Sequence, residues 1–422
     1  MQLPDDFIQL IRPVFGEERL ECFMKALDEE SPVSIRVNPK RMDNGEWRME
    51  NSQFQKVPWC QNGFYLPSRP NFTFDPLLHA GCYYVQEASS MFLDEVLRQH
   101  LRIQNSEFNA WPEGTLCLQR IHHCLDLCAA PGGKSTLLRS VLPEESVLYS
   151  NEPVRKRANI LLENVVKWGY PNHFVTNLYP QDYQKSKMKF DLILCDVPCS
   201  GEGMFRKDPD SIQEWSLQNV KLCQQLQREI VSNAWQCLND SGLLIYSTCT
   251  YNIYEDEENV RWMKEELNAD VLPVDIKSEW GITGSLLKDF NEPVYRFIPG
   301  YTRGEGLFMA VLCKNRRHES AKVQKCEVSP FIKKSILVPP FPCIAEAPKT
   351  DLPYHQAIAY LRGEALVLPP DVPRGLVTVT FMGYPLGQVK NIGSRANNLY
   401  PKEWRIKSTH IPQEYETIFR LA

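Results

Sequence analysis

Two of the fourteen cysteines stand where they could do chemistry. In "GLLIYSTCTYNIYEDEENV", residues 242–260, an apolar run that reads as a strand stops just before Cys249. In "FDLILCDVPCSGEG", residues 190–203, another strand runs into Asp196 and Cys199. Open α/β sheets bind ligands beyond the carboxyl ends of their strands, and both thiols fall there. A free cysteine is usually a small buried hydrophobe, so position singles these two out. A thiolate is a strong nucleophile, and an Asp on the same loop as Cys199 can hold or give a proton. Neither cysteine has a His beside it. Lys134 and the charge of a bound cation are the available sources of thiolate stabilisation.

A glycine loop completes the set. "LDLCAAPGGKST", residues 125–136, follows a strand and opens a helix. Gly132 and Gly133 let backbone approach a ligand where a Cβ would block it. Two readings compete. A phosphate loop would end well at Gly133-Lys134-Ser135, but its GxxxxGK[ST] pattern requires glycine at position 128, which is Cys128. A nucleoside site of the S-adenosylmethionine (SAM) kind requires an acidic residue at the end of the next strand, and "VLYSNEP" offers Glu152. Helix capping is the plainer reading of Glu152. The GxGxxG spacing of dinucleotide sites is absent.

These loops need a scaffold. "HHCLDLC", "SVLYSN", "FDLILCD" and "GLLIYST" read as strands, and "KSTLLRSVL" and "VRKRANILLENVVKWG" as helices. The alternation predicts an α/β fold with a doubly wound, mostly parallel sheet, closed by the strand pair "PVYRFIP" and "GLFMAVLCK". We expect four parts: a small α/β domain over 1–80, a catalytic domain over 81–315, a charged and Pro-rich linker over 316–351, and a β-rich module over 352–422. Removing the last should leave cofactor binding intact. Residues 105–120 read as a polar loop.

Composition narrows the class. The 422 residues are 43% apolar and 23% charged, ordinary for globular domains, with net charge −5. The N-terminus is acidic where a signal peptide is basic, and no apolar run would span a bilayer, so a cytoplasmic protein is expected. Irregular cysteine spacing argues for reduced thiols, and no CxxC pair points to zinc, so no metal is expected. Net acidity counts against nucleic-acid binding. Yet Lys390, Arg395, Lys402, Arg405 and Lys407 cluster against Glu403 alone, with Tyr400 and Trp404 among them. Cations neutralise phosphates and aromatics stack on bases, although a solvated face is the plainer reading.

One reaction uses the whole set. Carbon 5 of cytosine is a poor nucleophile. A thiolate adding to carbon 6 makes it enamine-like and able to take a methyl from SAM, and an Asp can assist at ring nitrogen 3. "CAAPGGK", "DVPCSGEGMFRKDP" and "STCTYNIYEDEENV" closely resemble motifs of the RNA 5-cytosine methyltransferases of the Sun/RsmF type. "PLLHAGCYYVQEASSMF" and "RFIPGYTRGEGLFMAVL" resemble their flanking segments, and "GYPLGQVKNIGSRANNLYPKEWRI" resembles the PUA-like module of the RsmF branch, which acts on small-subunit ribosomal RNA.

The resemblance implies a class I SAM-dependent methyltransferase fold, an RNA-binding type of N-terminal domain and SAM as cofactor. It implies ribosomal RNA or the small subunit as partner, for what we expect to be a monomer. It makes Cys249 the nucleophile and Cys199 the residue that assists release, with Lys134 and Asp196 supporting the base. SAM contacts would fall on Cys128, Ala129, Ala130, Pro131, Gly132, Gly133, Lys134, Glu152 and Asp196. Arg206 and Lys207 of "FRKDP" could clamp RNA. Where the family has an Asp touching the adenine side, this chain has Tyr179, with Asp182 a little later. A tRNA substrate is the nearest alternative; a P-loop NTPase and a non-catalytic RNA-binding assembly factor are the competitors from other classes.

Overall fold

The computed structural model describes residues 1–42, 47–48, 54–101, 121–315, 329–339, 347–408 and 417–421. The polar stretch 105–120 lies outside the described residues. The apolar runs form one eight-stranded sheet. Five strands run parallel in the spatial order Leu238–Thr248, Phe190–Asp196, His123–Asp126, Val147–Asn151 and His173–Thr176. Leu307–Lys314 lies antiparallel beside Leu238–Thr248, and Ala269–Leu272 and Val294–Phe297 pair with it in turn.

The strands are apolar on both faces because both are covered. Leu192, Leu194, Leu243 and Ile245 meet Leu137 and Leu138 of helix Gly133–Val141 and Val96 and Leu97 of helix Leu93–His100. Ile193, Cys195, Leu244 and Tyr246 meet Ile230 and Val231 of helix Leu217–Cys237 and Val260 and Met263 of helix Glu257–Leu267. His123–Asp126, first of the five in sequence, lies centrally, so connections leave it in opposite directions. That is the switch point at which such sheets bind ligands. The loops carrying Cys249, Cys199, the two glycines and Glu152 therefore stand side by side along one edge.

The N-terminal helix Asp5–Leu27 bends at Gly16, whose φ of 73° is left-handed. Phe7 packs edge-on against Phe205 and Trp215 at centroid distances of 5.1 and 5.5 Å, and Phe23 against Tyr251 at 4.9 Å. The helix thereby braces both cysteine loops. A four-stranded sheet follows it, in the order Gln55–Lys56, Gly63–Leu66, Val33–Val37, Tyr83–Val85. Its last strand lies beyond the expected boundary at 80.

The C-terminal sheet comprises Lys349–Asp351, Gly375–Phe381, Tyr384–Asn391 and Ala396–Asn398, with helix Tyr354–Leu361. It is not the free-standing module that its expected removal without effect on cofactor binding assumes. Ile358, Leu361, Val377 and Trp404 share one buried cluster with Ile35, Val37, Leu77 and Tyr83 of the N-terminal domain. Tyr354 OH donates to the Phe74 carbonyl at 3.0 Å, and strand Arg420–Leu421 pairs with Trp47–Arg48. Within the expected linker, Ile332 is buried in the catalytic core and Leu337 N–H donates to the Val175 carbonyl at 2.8 Å. A chain ending at residue 351 bares one side of the shared core. It is expected to lose several kcal/mol of unfolding free energy, seen as a lowered denaturant midpoint, and to bind a hydrophobic dye. An unchanged midpoint would show the two units to be independent.

Candidate active site

The two cysteine loops are stitched together by backbone. Val197 N–H donates to the Ser247 carbonyl at 3.1 Å and Gly203 N–H to the Cys249 carbonyl at 2.8 Å. Cys199 Sγ and Cys249 Sγ, both half-buried, face each other at 3.2 Å. The hydrogen bond to Cys249, burial, and the charges of Cys249 and Glu255 push the Cys199 thiol well above its usual range. A Cys199 thiol held in its protonated form can donate its S–H to Cys249 Sγ.

Lys134, in the first turn of its helix, reaches across the sheet edge. Its Nζ donates to Asp196 Oδ2 at 2.8 Å, while Ser247 Oγ donates to Oδ1 at 3.0 Å. Burial alone would lower the Lys134 pKa, but Asp196, Cys249 and Asp126 together raise it, so an ammonium faces the thiol pair. A carboxylate with both oxygens oriented, a fixed cation and two thiols can support covalent attack on an electron-poor ring carbon.

Beside this cluster lies the glycine loop. Gly132 takes φ 118°, a left-handed value that starts the helix at Gly133. Ala129 N–H donates to the Asn151 carbonyl at 2.8 Å, and Asn151 Nδ2 returns a bond to the Leu127 carbonyl at 3.1 Å. Pro131 is pinned through its carbonyl by Asn164 Nδ2 at 2.8 Å, and Ala130 by Arg157 Nη2 at 3.2 Å. Cys128 is held neutral, its thiol raised by burial, at the base of the loop. Glu152 is buried at the end of its strand, with Oε1 accepting from Val154 N–H at 2.9 Å and Oε2 3.4 Å from Arg157. The loop-anchoring role and a ligand role are compatible, because a carboxylate retains lone pairs for two further donors. Tyr179 is 60% exposed at the neighbouring strand end. Asp182 is spent locally, its Oδ2 accepting from Tyr179 N–H at 3.1 Å.

A set of buried acidic residues that the sequence reading missed holds the loops from behind. Glu202 Oε2 accepts from Tyr251 and Asn252 N–H at 2.6 and 3.0 Å. Asp256 Oδ1 accepts from Thr248 and Thr250 Oγ1 at 2.6 and 2.9 Å, and Arg296 pairs with both Asp256 and Glu257. Burial pushes the Glu255 carboxyl up to about 7. "YEDEENV" reads as the solvated start of a helix; only a buried arginine opposite it marks it otherwise, and Arg296 lies in a distant segment.

Three expected RNA contacts are corrected. The Arg206 side chain is only 7% exposed and is engaged by Glu305 and the Ala26 and Gly304 carbonyls. Tyr400 and Trp404 are buried in the apolar core, 6.1 Å apart between centroids, and cannot stack on bases. Aromatics spaced among cations read the same whether they face in or out. Lys207, Lys390, Arg395, Lys402 and Lys407 are exposed, and Arg405 is half-buried, with Nη2 3.4 Å from the Tyr400 carbonyl. Among the described residues no cluster of His, Cys, Asp or Glu is arranged to hold a metal ion, and no helix is long and apolar enough to cross a membrane.

Comparison with known proteins gives three family matches. Residues 114–313 match the 16S rRNA methyltransferase RsmB/F family, 3–88 the N-terminal domain of 16S rRNA methyltransferase RsmF, and 347–406 the methyltransferase RsmF PUA domain. A ribosomal RNA small subunit methyltransferase F of Vibrio cholerae is 30% identical over 292 residues, 64% of this chain and 56% of that protein. The chain thus spans little more than half of that relative's length. One from an Enterobacter species is 28% identical with 95% of each chain covered. Among solved structures, a methyltransferase homolog protein of Pyrococcus horikoshii aligns with a TM-score of 0.58 at 25% identity, covering 74% of this chain and 95% of that one.

Proposed function

Since the chain belongs to the 16S rRNA methyltransferase RsmB/F family, we propose that it transfers a methyl group from SAM to carbon 5 of a cytosine in small-subunit rRNA. Such a substrate implies a cytoplasmic reaction. The observation that carries the reading is the pair of thiols 3.2 Å apart beside the Lys134–Asp196 pair. Cys249 attacks carbon 6. Lys134 favours the thiolate form, and the S–H of Cys199 steadies it. Asp196, aligned by Ser247, meets the nitrogen 3 side of the ring. SAM supplies an activated methyl on a sulfonium centre.

The order in which the cysteines act follows from electrostatics. While Cys249 is free, its presence is the first cause of the raised Cys199 pKa. Once Cys249 is a neutral thioether, that cause is gone, while burial and Glu255 still push the Cys199 thiol up. Once its own S–H proton has passed to solvent, the freed sulfur, or a water held by it, takes the carbon 5 proton. The electron pair of that C–H bond forms the carbon 5–carbon 6 double bond, and the carbon–sulfur pair returns to Cys249.

The residues around the glycine loop fit SAM. Glu152, buried at the strand end beside the loop, has lone pairs for ribose hydroxyls, and the loop backbone and Lys134 line the adjoining space. Glu152→Ala is expected to weaken SAM binding by about 1.5–3 kcal/mol in calorimetric titration, the scale of a hydrogen bond to a charged group. Unchanged affinity would put the ribose elsewhere.

Replacing Lys390, Arg395, Lys402 and Lys407 together by Ala is expected to reduce the slope of log affinity for rRNA against log salt by roughly 3, since each single-strand phosphate left without its cation lowers it by about 0.7. An unchanged slope would make the cluster a merely solvated face. The decisive test of function is mapping 5-methylcytosine in small-subunit rRNA from cells with and without this gene. One site should vanish, and return with the wild-type gene but not with Cys249→Ala. An unaltered map would refute the reading.

A further inference from the structure

Glu255 is fully buried, six residues past Cys249, and its carboxylate is turned toward the other cysteine loop. Its Oε2 accepts from Ser200 N–H at 3.0 Å and from Gln227 Nε2 at 2.6 Å. Its Oε1 accepts from Ser200 Oγ and, at 2.9 Å, from Asn252 Nδ2. Four donors converge on two oxygens, which uses the acceptor capacity of the carboxyl and leaves little freedom for the residue next to Cys199. Gln227 extends the hold, donating also to the Pro198 carbonyl at 2.9 Å. Pro198 and Ser200, on either side of Cys199, are therefore fixed through one buried side chain and its neighbour. Asn252 links the hold to the second loop, since its amide also donates to Glu202 Oε1 at 2.8 Å. The Cys249 side has further anchors in Asp256 and Arg296, neither of them on the Cys199 loop.

We propose that Glu255 is a positioning residue for the release step: it sets Cys199 against the Cys249 adduct by holding Ser200 directly and Pro198 through Gln227. The proposal rests on the cytosine-5 reading above. Attack needs Cys249, whose loop keeps its own anchors when Glu255 is altered. Release needs Cys199 where the carbon 5 proton departs, and the Cys199 loop depends on Glu255. Disturbing Glu255 should therefore allow attack and methyl transfer and slow the loss of that proton, leaving RNA joined to Cys249 through carbon 6.

The test is Glu255→Gln, which turns an acceptor into a donor facing Gln227 Nε2 or Asn252 Nδ2. Wild type, Glu255→Gln, Ser200→Ala and Cys199→Ala are incubated with SAM and rRNA, and run on denaturing gels beside a methyl-transfer assay. Glu255→Gln is expected to accumulate a denaturation-resistant RNA adduct about tenfold or more above wild type, the scale of one missing buried hydrogen bond to a charged group. Its SAM affinity should equal wild type's, which a general loss of structure would not leave intact. Turnover at the wild-type rate without adduct overturns the proposal, as does loss of adduct formation with SAM binding preserved. If Glu255→Gln does not fold, Ser200→Ala decides: it removes one of the four donors, and adduct above wild type supports the proposal while none overturns it. Failure of the wild type itself to methylate rRNA would instead remove the reading of function beneath it.

Discussion

Cys249→Ala is expected to lose methyl transfer by a factor of roughly 10³ or more, the scale on which removal of a covalent nucleophile reads, and to form no adduct with RNA. Cys199→Ala behaves differently. It should still attack and still transfer the methyl, then stall as a protein–RNA complex that survives denaturing electrophoresis. The asymmetry follows from the surroundings of the two sulfurs: they are in contact, and the Cys199 thiol is raised by its partner, by burial and by Glu255. Lys134 lies within the field of Cys249. The reverse assignment, with Cys199 as nucleophile, predicts an adduct in Cys249→Ala and none in Cys199→Ala. If neither variant gives an adduct, and 5-azacytidine RNA traps nothing on the wild type, covalent catalysis is refuted.

Arg296→Met is expected to cost about 3–5 kcal/mol of stability, the range found when one partner of a buried ion pair is removed. Arg296 is 1% exposed and is shared by Asp256 and Glu257, which are also fully buried. Methionine fills much of the volume but leaves two carboxylates uncompensated. The attraction of those carboxylates outweighs desolvation, so the guanidinium stays charged at any working pH. Arg296 Nη1 also donates to the Tyr251 carbonyl at 2.9 Å, so the loop bearing Cys249 should loosen as well. The denaturant midpoint reads the first effect and the methyl-transfer rate the second. A midpoint shift equivalent to less than about 1 kcal/mol of unfolding free energy, the worth of an exposed pair, would mean that water reaches the triad.

The chemistry is readable in the sequence because it depends on residue types at strand ends. An apolar run long enough for a buried strand, followed by Asp196-Val197-Pro198-Cys199 or Ser247-Thr248-Cys249, fixes which side chains emerge at the sheet edge. The side-chain period of the strand and the position of the loops beyond it leave little choice. The glycine loop and Glu152 are local in the same sense. The alternation of strand and helix likewise implies the doubly wound sheet before any contact is known.

Other features depend on contacts between segments far apart in the chain. Glu202, Glu255 and Asp256 have no role legible in the sequence, because a carboxylate looks the same whether water or a buried guanidinium faces it. Arg206, Tyr400 and Trp404 mislead for the same reason: a cation or an aromatic among charges carries no mark of the surface it faces. The C-terminal module looks separable because a Pro-rich stretch precedes it, yet its apolar face and that of the N-terminal sheet each lack a cover until they meet. Local spacing thus determined which groups could react. Which groups hold them, and which surfaces are left for RNA, was set by burial, which belongs to the folded chain and to no single stretch of it.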